Sequence, residues 1–252
     1  MRTALAAVLA LCLAVTAATA GAAGAGGSIE KRTVVSRARE RTYYVFAPPN
    51  LTPDHPAPLI VMLHGSGRTG QPLLEAWKDF AGKEGVLLAG PDSTDGLHWA
   101  APVDGPTLLR DVVDAVAKEH PIDRRRIYLF GHSAGAVFAL QMASLESEYF
   151  AAAAVHAGSV DPKYYSVFDY AARKIPIGIW IGTKDKIFPL SEVRATAKAL
   201  TDRGFPVALT EVPDHTHDYD AASKDLNSQI WTFLGGRSLA EDARFRVYAD
   251  PK

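Results

Sequence analysis

The chain has 252 residues, of which 48% are hydrophobic and 22% charged, and its formal net charge is -1. That length and composition suit a single folded α/β domain with a continuous core and exclude disorder as the default state. The balanced charge excludes a broad basic field for nucleic acid or anionic membrane, and it fits a small or uncharged partner.

The N-terminus comes first. Arg2 is followed by an apolar run over residues 4–15 and then by small residues ending Ala18-Thr19-Ala20. That order is expected of a secretory signal peptide over residues 1–20, and a second small-x-small site ends at Ala22. The apolar run is too short to span a bilayer, and no later run approaches the roughly 20 apolar residues that a membrane helix requires. The expectation is a secreted or periplasmic protein without a membrane span. The only cysteine, Cys12, lies inside this segment, so the mature chain is expected to have no disulfide, no thiol nucleophile and no cysteine metal ligand. The Gly- and Ala-rich stretch that follows makes residues 21–32 a flexible stub.

From Thr33 onward apolar runs of strand length alternate with segments of helical period. One or two antiparallel edge strands are expected within 33–47, with one at 43–47. Further strands are expected at 59–64, 86–90, 126–131, 151–156, 177–182 and 207–212. Most of these runs are continuously apolar, as buried parallel strands are. Helices are expected at 72–83, 107–120, 134–145, 190–203 and 221–234. Strict alternation with right-handed crossovers predicts an α/β domain over 33–235, a mostly parallel central sheet with helices on both faces. Its strand-to-helix loops then gather along one edge. Residues 236–252 show no pattern and are given no role.

Reactive residues belong in those loops. Gly131-His132-Ser133-Ala134-Gly135 follows the apolar strand Ile127-Tyr128-Leu129-Phe130 and opens a helix, so G-x-S-x-G stands in its strand-turn-helix setting. A serine on so tight a turn needs neighbours two positions away that are nearly without side chains, hence the two glycines. The first helical N–H groups then point toward developing negative charge. Ser133 is therefore the candidate nucleophile. A serine hydroxyl needs a histidine to take its proton and a carboxylate to orient that histidine, in the chain order Ser, Asp/Glu, His. Asp185, just past the strand at 177–182, is the candidate acid, with Asp161 as the weaker alternative. The base is His215 or His217, since Pro213-Asp214-His215-Thr216-His217-Asp218-Tyr219 is the only loop after Asp185 that contains histidine. Zinc held by this pair is not expected, because no third ligand accompanies it. The oxyanion donors are expected to be the N–H of Ala134 and that of Ser66 in the loop His64-Gly65-Ser66-Gly67, with His64 itself structural. Trp99 is either a wall of an acyl or aryl pocket or a core residue.

Together these residues resemble the α/β-hydrolase superfamily. More narrowly they resemble the secreted polyhydroxybutyrate-depolymerase-like and feruloyl-esterase-like branch, along with esterase D. The more specific stretch runs from Asp111-Val112-Val113 through Pro121-Ile122-Asp123-Arg124-Arg125-Arg126-Ile127-Tyr128 into Gly131–Gly135. It is similar to that branch's helix, I-D-x-x-R-[IV]-Y strand and elbow, in which Asp123 and Arg126 are structural. His217-Asp218-Tyr219 is similar to the H-D-F or H-S-Y around the branch's catalytic histidine, which favours His217. Asp214 stands where many relatives carry glycine, and so keeps His215 open as the alternative base. The resemblance implies a secreted serine carboxylic ester hydrolase with no cofactor or metal. A serine peptidase or acyltransferase on the same fold, and a non-catalytic secreted binding protein, remain the rival readings. Relatives that degrade solid polymers append a linker and a binding domain, absent from this sequence. The expected partner is thus a small-molecule or oligomeric soluble ester of feruloyl, acetyl or 3-hydroxyacyl type.

Overall fold

The computed structural model describes residues 27–49 and 51–247. The expected signal peptide at 1–20, with Cys12 inside it, lies outside the described residues. Among those described, one eight-stranded sheet organises the chain. Its strands are β1 Ile29–Ser36, β2 Arg39–Phe46, β3 Ala57–Leu63, β4 Leu87–Pro91, β5 Ile122–His132, β6 Ala152–His156, β7 Ile177–Gly182 and β8 Val207–Val212. They lie in the order β1-β2-β4-β3-β5-β6-β7-β8, with β1 antiparallel to β2, β2 antiparallel to β4 and the rest parallel. The helices are α1 Gly70–Glu84, α2 Pro106–Glu119, α3 Ala134–Leu145, α4 Leu190–Thr201 and α5 Ser223–Leu234, with 3-10 turns at Pro162–Tyr170 and Asp220–Ala222.

Strand periodicity explains the two layers of core. On β3, Leu59, Val61 and Leu63 belong to the cluster that also takes in buried residues of α2, α3 and α4, while Ile60 and Met62 point the other way into a cluster with Leu74 and Trp77 of α1 and Ile230 of α5. All five β3 side chains are fully buried, each contributing about 1.5–3 kcal/mol relative to exposure. Helix α3 has buried residues around its whole circumference because the sheet covers one side and the Pro162–Tyr170 segment the other. The helix that follows Ser133 is thus the most enclosed.

The ends of the fold correct the sequence reading. The edge holds two strands, and β1 begins at Ile29, so residues 29–32 are sheet rather than flexible stub. Arg37 and Ala38 turn the hairpin with φ of 49° and 58°, the left-handed pair that matches strand twist in a two-residue turn. Helix α1 starts at Gly70, two residues before the expected 72, because the Gly70 N–H donates to Asp92 Oδ1 at 2.8 Å. Helix α5 starts at Ser223, the three residues before it forming a 3-10 turn. The tail also has a role. Leu239 is buried, its N–H donates to the Arg125 carbonyl, and the Tyr128 hydroxyl donates to the Arg237 carbonyl at 2.6 Å. Arg110 lies over the Phe245 ring. Leu239→Ala is expected to lower unfolding free energy by about 2–3 kcal/mol in urea titration, as other large-to-small core changes do; an unchanged midpoint would return the tail to the role of bystander.

The loop between β4 and α2 is anchored by a buried ion pair. Asp104, fully buried, accepts from Arg41 at 2.7 Å and from Thr94 and Ala100, while Arg41 also donates to the carbonyls of Asp92 and Val103. Such a pair is tolerated because its remaining polar atoms are also bonded.

Candidate active site

The elbow is built as its glycines predict. Ser133 joins β5 to α3 with φ 56° and ψ -120°, a strained conformation for a non-glycine residue. Gly131 and Gly135 serve space rather than torsion. A Cβ on Gly131 would overlap the Gly135 carbonyl, and one on Gly135 would overlap the Leu63 carbonyl of β3. The Ser133 N–H donates to the His156 carbonyl at 3.0 Å, tying the turn to β6.

Three elements converge on that serine. His217 Nε2 lies 2.9 Å from Ser133 Oγ, and His217 Nδ1 lies 2.9 Å from Asp185 Oδ2. The carboxylate partner requires Nδ1 to carry the proton, which leaves Nε2 as the acceptor for the serine hydroxyl. Asp185 is held in turn, because its Oδ1 accepts the N–H groups of Ile187 and Phe188 at 2.8 and 3.0 Å. With its side chain 1% exposed, it cannot swing away from the imidazole without leaving those donors unpaired. Phe188 stacks on the His217 ring at 5.8 Å.

Some of the other residues singled out by the sequence adjoin this centre and others lie elsewhere. Ser66 and Ser133 line one cavity of about 760 Å³, with Leu73 and Ile187 as apolar wall and Arg68 and Lys186 among its charged groups. Ala134 is the first residue of α3, directly after the serine. Gly65 lets the loop approach, since a Cβ there would sit 3.2 Å from the Ser133 Cβ. His64 is structural: buried, it donates from Nδ1 to the Gly65 carbonyl and accepts the Ser93 N–H on Nε2, and burial lowers its pKa. Trp99 donates to the His64 carbonyl and stacks on Phe138 of α3 at 5.3 Å, so it supports the loop from the core side. Asp161 caps the 3-10 turn and pairs with Lys163, and no imidazole is among its partners. Asp123 bonds Arg126 at 2.6 Å and the Arg125 N–H, the structural role the resemblance implied.

His215 makes no hydrogen bond to the serine hydroxyl or to Asp185; its ring turns to another histidine. Its Nε2 lies 3.0 Å from His156 Nε2, and His156 Nδ1 lies 3.0 Å from His132 Nδ1. The sequence reading passed over His132 and His156. Their one visible signal is that each ends an apolar strand at the edge where the loops gather, beside a loop with two further histidines.

Sheet order, crossover helices and the serine on its strand-turn-helix define the class: this is an α/β-hydrolase fold. Residues 92–243 match the dienelactone hydrolase family, and the chain belongs to that family. It is 29% identical over 167 residues to a bifunctional acetylxylan esterase/xylanase of Neocallimastix patriciarum, covering 65% of this chain and 24% of that one. It is 31% identical over 115 residues to poly(3-hydroxyalkanoate) depolymerase C of Paucimonas lemoignei, covering 40% of this chain and 28% of that one. The chain thus spans about a quarter of the length of the curated relatives it matches. A ferulic acid esterase of Anaeromyces mucronatus superposes with a TM-score of 0.66 at 18% identity, over 83% of this chain and 90% of that one, a likeness of fold. Among the described residues no helix is long and apolar enough to cross a membrane.

Proposed function

We propose that the protein is a serine ester hydrolase in which Ser133, His217 and Asp185 act as nucleophile, base and orienting acid. One observation carries the reading: the unbroken run from Asp185 Oδ2 through the His217 ring to Ser133 Oγ, 2.9 Å at each link, beside a cavity that Ser133 and His217 line. His217 Nε2 takes the Ser133 proton as Oγ attacks the ester carbonyl carbon. The N–H groups of Ala134 and Ser66 receive the oxyanion, each worth on the order of 10²- to 10³-fold in turnover. The imidazolium gives its proton to the departing alcohol, leaving an acyl-serine. Water, deprotonated by the same imidazole, then releases the acid and restores the hydroxyl.

The substrate class is a soluble or oligomeric ester with a feruloyl, acetyl or 3-hydroxyacyl group. A cavity combining apolar wall with a few charged groups suits such an acyl portion, and acetylxylan, polyhydroxyalkanoate and ferulate esters are the substrates in the relatives' names. Export, with cleavage after a signal peptide at 1–20, completes the reading and is supported by the residue order there. The catalytic domain then runs from β1 through the packed tail.

A fluorophosphonate probe tests the nucleophile. Covalent labelling of the native protein, lost in Ser133→Ala, is the expected result; an unlabelled native protein would favour a binding protein instead. p-Nitrophenyl acetate, butyrate and 3-hydroxybutyrate and methyl ferulate, set against peptide anilides, separate the esterase from the peptidase reading.

A further inference from the structure

His132, His156 and His215 take no part in the reaction described above, yet they form one hydrogen-bonded chain. His132 and His156 are paired neighbours at the carboxyl ends of β5 and β6, their rings stacked at 5.2 Å. His156 is fully buried. His215 reaches it from the loop after β8 by crossing the end of β7, where Gly182 makes room: a Cβ there would overlap the carbonyls of His215 and Thr216. An imidazole N···N contact is a hydrogen bond only when one nitrogen carries the proton and the other does not. Neutral rings satisfy both 3.0 Å contacts in either of two ways, with all donors aimed toward His215 or all toward His132. Their nitrogens face each other in pairs, so the lone pairs do not converge on a common point as metal ligands would.

Two further observations tie this chain to the serine and its base. Outside the β1–β2 hairpin, the non-glycine residues with positive φ among those described are Ser133, Ala157 and Asp214, at 56°, 54° and 57°. Each adjoins one of the three histidines. Strain of this kind, about 1–3 kcal/mol per residue, persists where surrounding structure over-determines the backbone. In addition, the His132 ring lies 5.0 Å from that of His217, while Phe188 stacks on the same base, so His217 rests between two rings. Burial keeps His132 neutral, its pKa pushed down to about 4, and lowers those of His156 and His215 as well. The other groups facing the chain are Arg68, Asp185 and Tyr219 near His132, Tyr219 beside His156, and Asp185 and Asp218 near His215.

We propose that His132, His156 and His215 are positioning residues, a relay that clamps the loop carrying His217 against the elbow carrying Ser133 and so holds the base at hydrogen-bonding distance before substrate arrives. The relay joins the residue before the nucleophile to the residue two before the base, through a strand that carries neither. It rests on the serine-hydrolase reading of the same site.

The experiment compares native protein, His156→Leu, His156→Gln and His215→Ala on p-nitrophenyl acetate, with rates normalised to sites titrated by the fluorophosphonate and with Tm measured in parallel. His156→Leu is expected to lose about 10- to 100-fold in kcat with KM within about twofold, the signature of misplaced machinery rather than lost binding. His156→Gln, which restores a polar atom near the Nε2 position, is expected to recover part of that loss. His215→Ala, at the half-buried end of the chain of imidazoles, is expected to lose about 10-fold in kcat. Native kcat per titrated site in His215→Ala overturns the relay, as does native kcat in a folded His156→Leu. A purely structural role would lower Tm and leave kcat per site unchanged. Failure of the native protein to label overturns the serine reading itself, and the relay with it.

Discussion

Ser133→Ala is expected to lower kcat by about 10⁴- to 10⁶-fold while leaving the fold intact. The hydroxyl is the atom that His217 Nε2 faces at 2.9 Å, and both residues line the cavity. Alanine keeps the Cβ and the left-handed backbone at 133, so the strain of the turn is the same in both proteins and Tm should move little. His217→Ala is expected to cost a similar factor. Asp185→Asn is expected to cost about 10⁴-fold by favouring the wrong tautomer, because an amide oxygen can still accept from Ile187 and Phe188 while its NH₂ faces the imidazole. Since the three act as a unit, Ser133→Ala combined with His217→Ala should be no slower than either alone. Steady-state kinetics on p-nitrophenyl butyrate, with circular dichroism as the check on folding, decide the matter; a Ser133→Ala protein turning over at the native rate would falsify the assignment.

Stability is expected to fall steeply as pH drops from 6.5 toward 5, before the surface carboxylates are involved, and to go on falling toward 4. His132 is held at about 4 by burial, and by the His217 and Arg68 charges, against an ordinary 6.5. Between these values the unfolded chain binds a proton that the folded one refuses, so more protons are bound in the unfolded state and stability rises with pH across that window. The contribution is fully present above 6.5, declines as pH falls, and has nothing further to lose below about 4. For His132 alone it amounts to about 2 kcal/mol between pH 7 and 5 and about 3 kcal/mol by pH 4. His156, lowered well below its ordinary value by the same burial, adds to the loss. Carboxylates such as Glu211 begin to contribute only near about pH 5 and below, where unfolded carboxylates titrate. Urea titrations at pH 7 and 5 therefore isolate the histidines. The native protein should lose at least that 2 kcal/mol, and a His132→Gln, His156→Gln double variant should lose less; equal losses would place the proton uptake elsewhere.

How much of this was legible beforehand follows from the range of the interactions. Alternating apolar runs predict buried strands because side chains on a strand alternate faces locally; β7 lies where its run put it, while β3 and β5 contain their runs but begin two and four residues earlier. G-x-S-x-G could be read because its glycines make room for backbone within a few residues or on the neighbouring strand. The start of α1 was missed by two residues because its first N–H bonds to Asp92, 22 positions along the chain. The tail was missed because Leu239 and Phe245 are isolated apolar residues whose burial depends on the surface presented by β5 and α2.

The two histidines after β8 show the division most clearly. Residue order alone pointed to the elbow, to Asp185 at the end of β7 as the candidate acid, and to His215 or His217 as the candidate base, since strand ends and the loops that follow them are local features. It could not divide labour between two imidazoles two positions apart. Tertiary structure made that choice: the loop lies across Gly182 so that His217 turns to Asp185 and Ser133 while His215 turns to His156. The two hydrogen bonds that join imidazoles from three separate strand ends depend on distances set by packing, and no spacing along the chain encodes those distances.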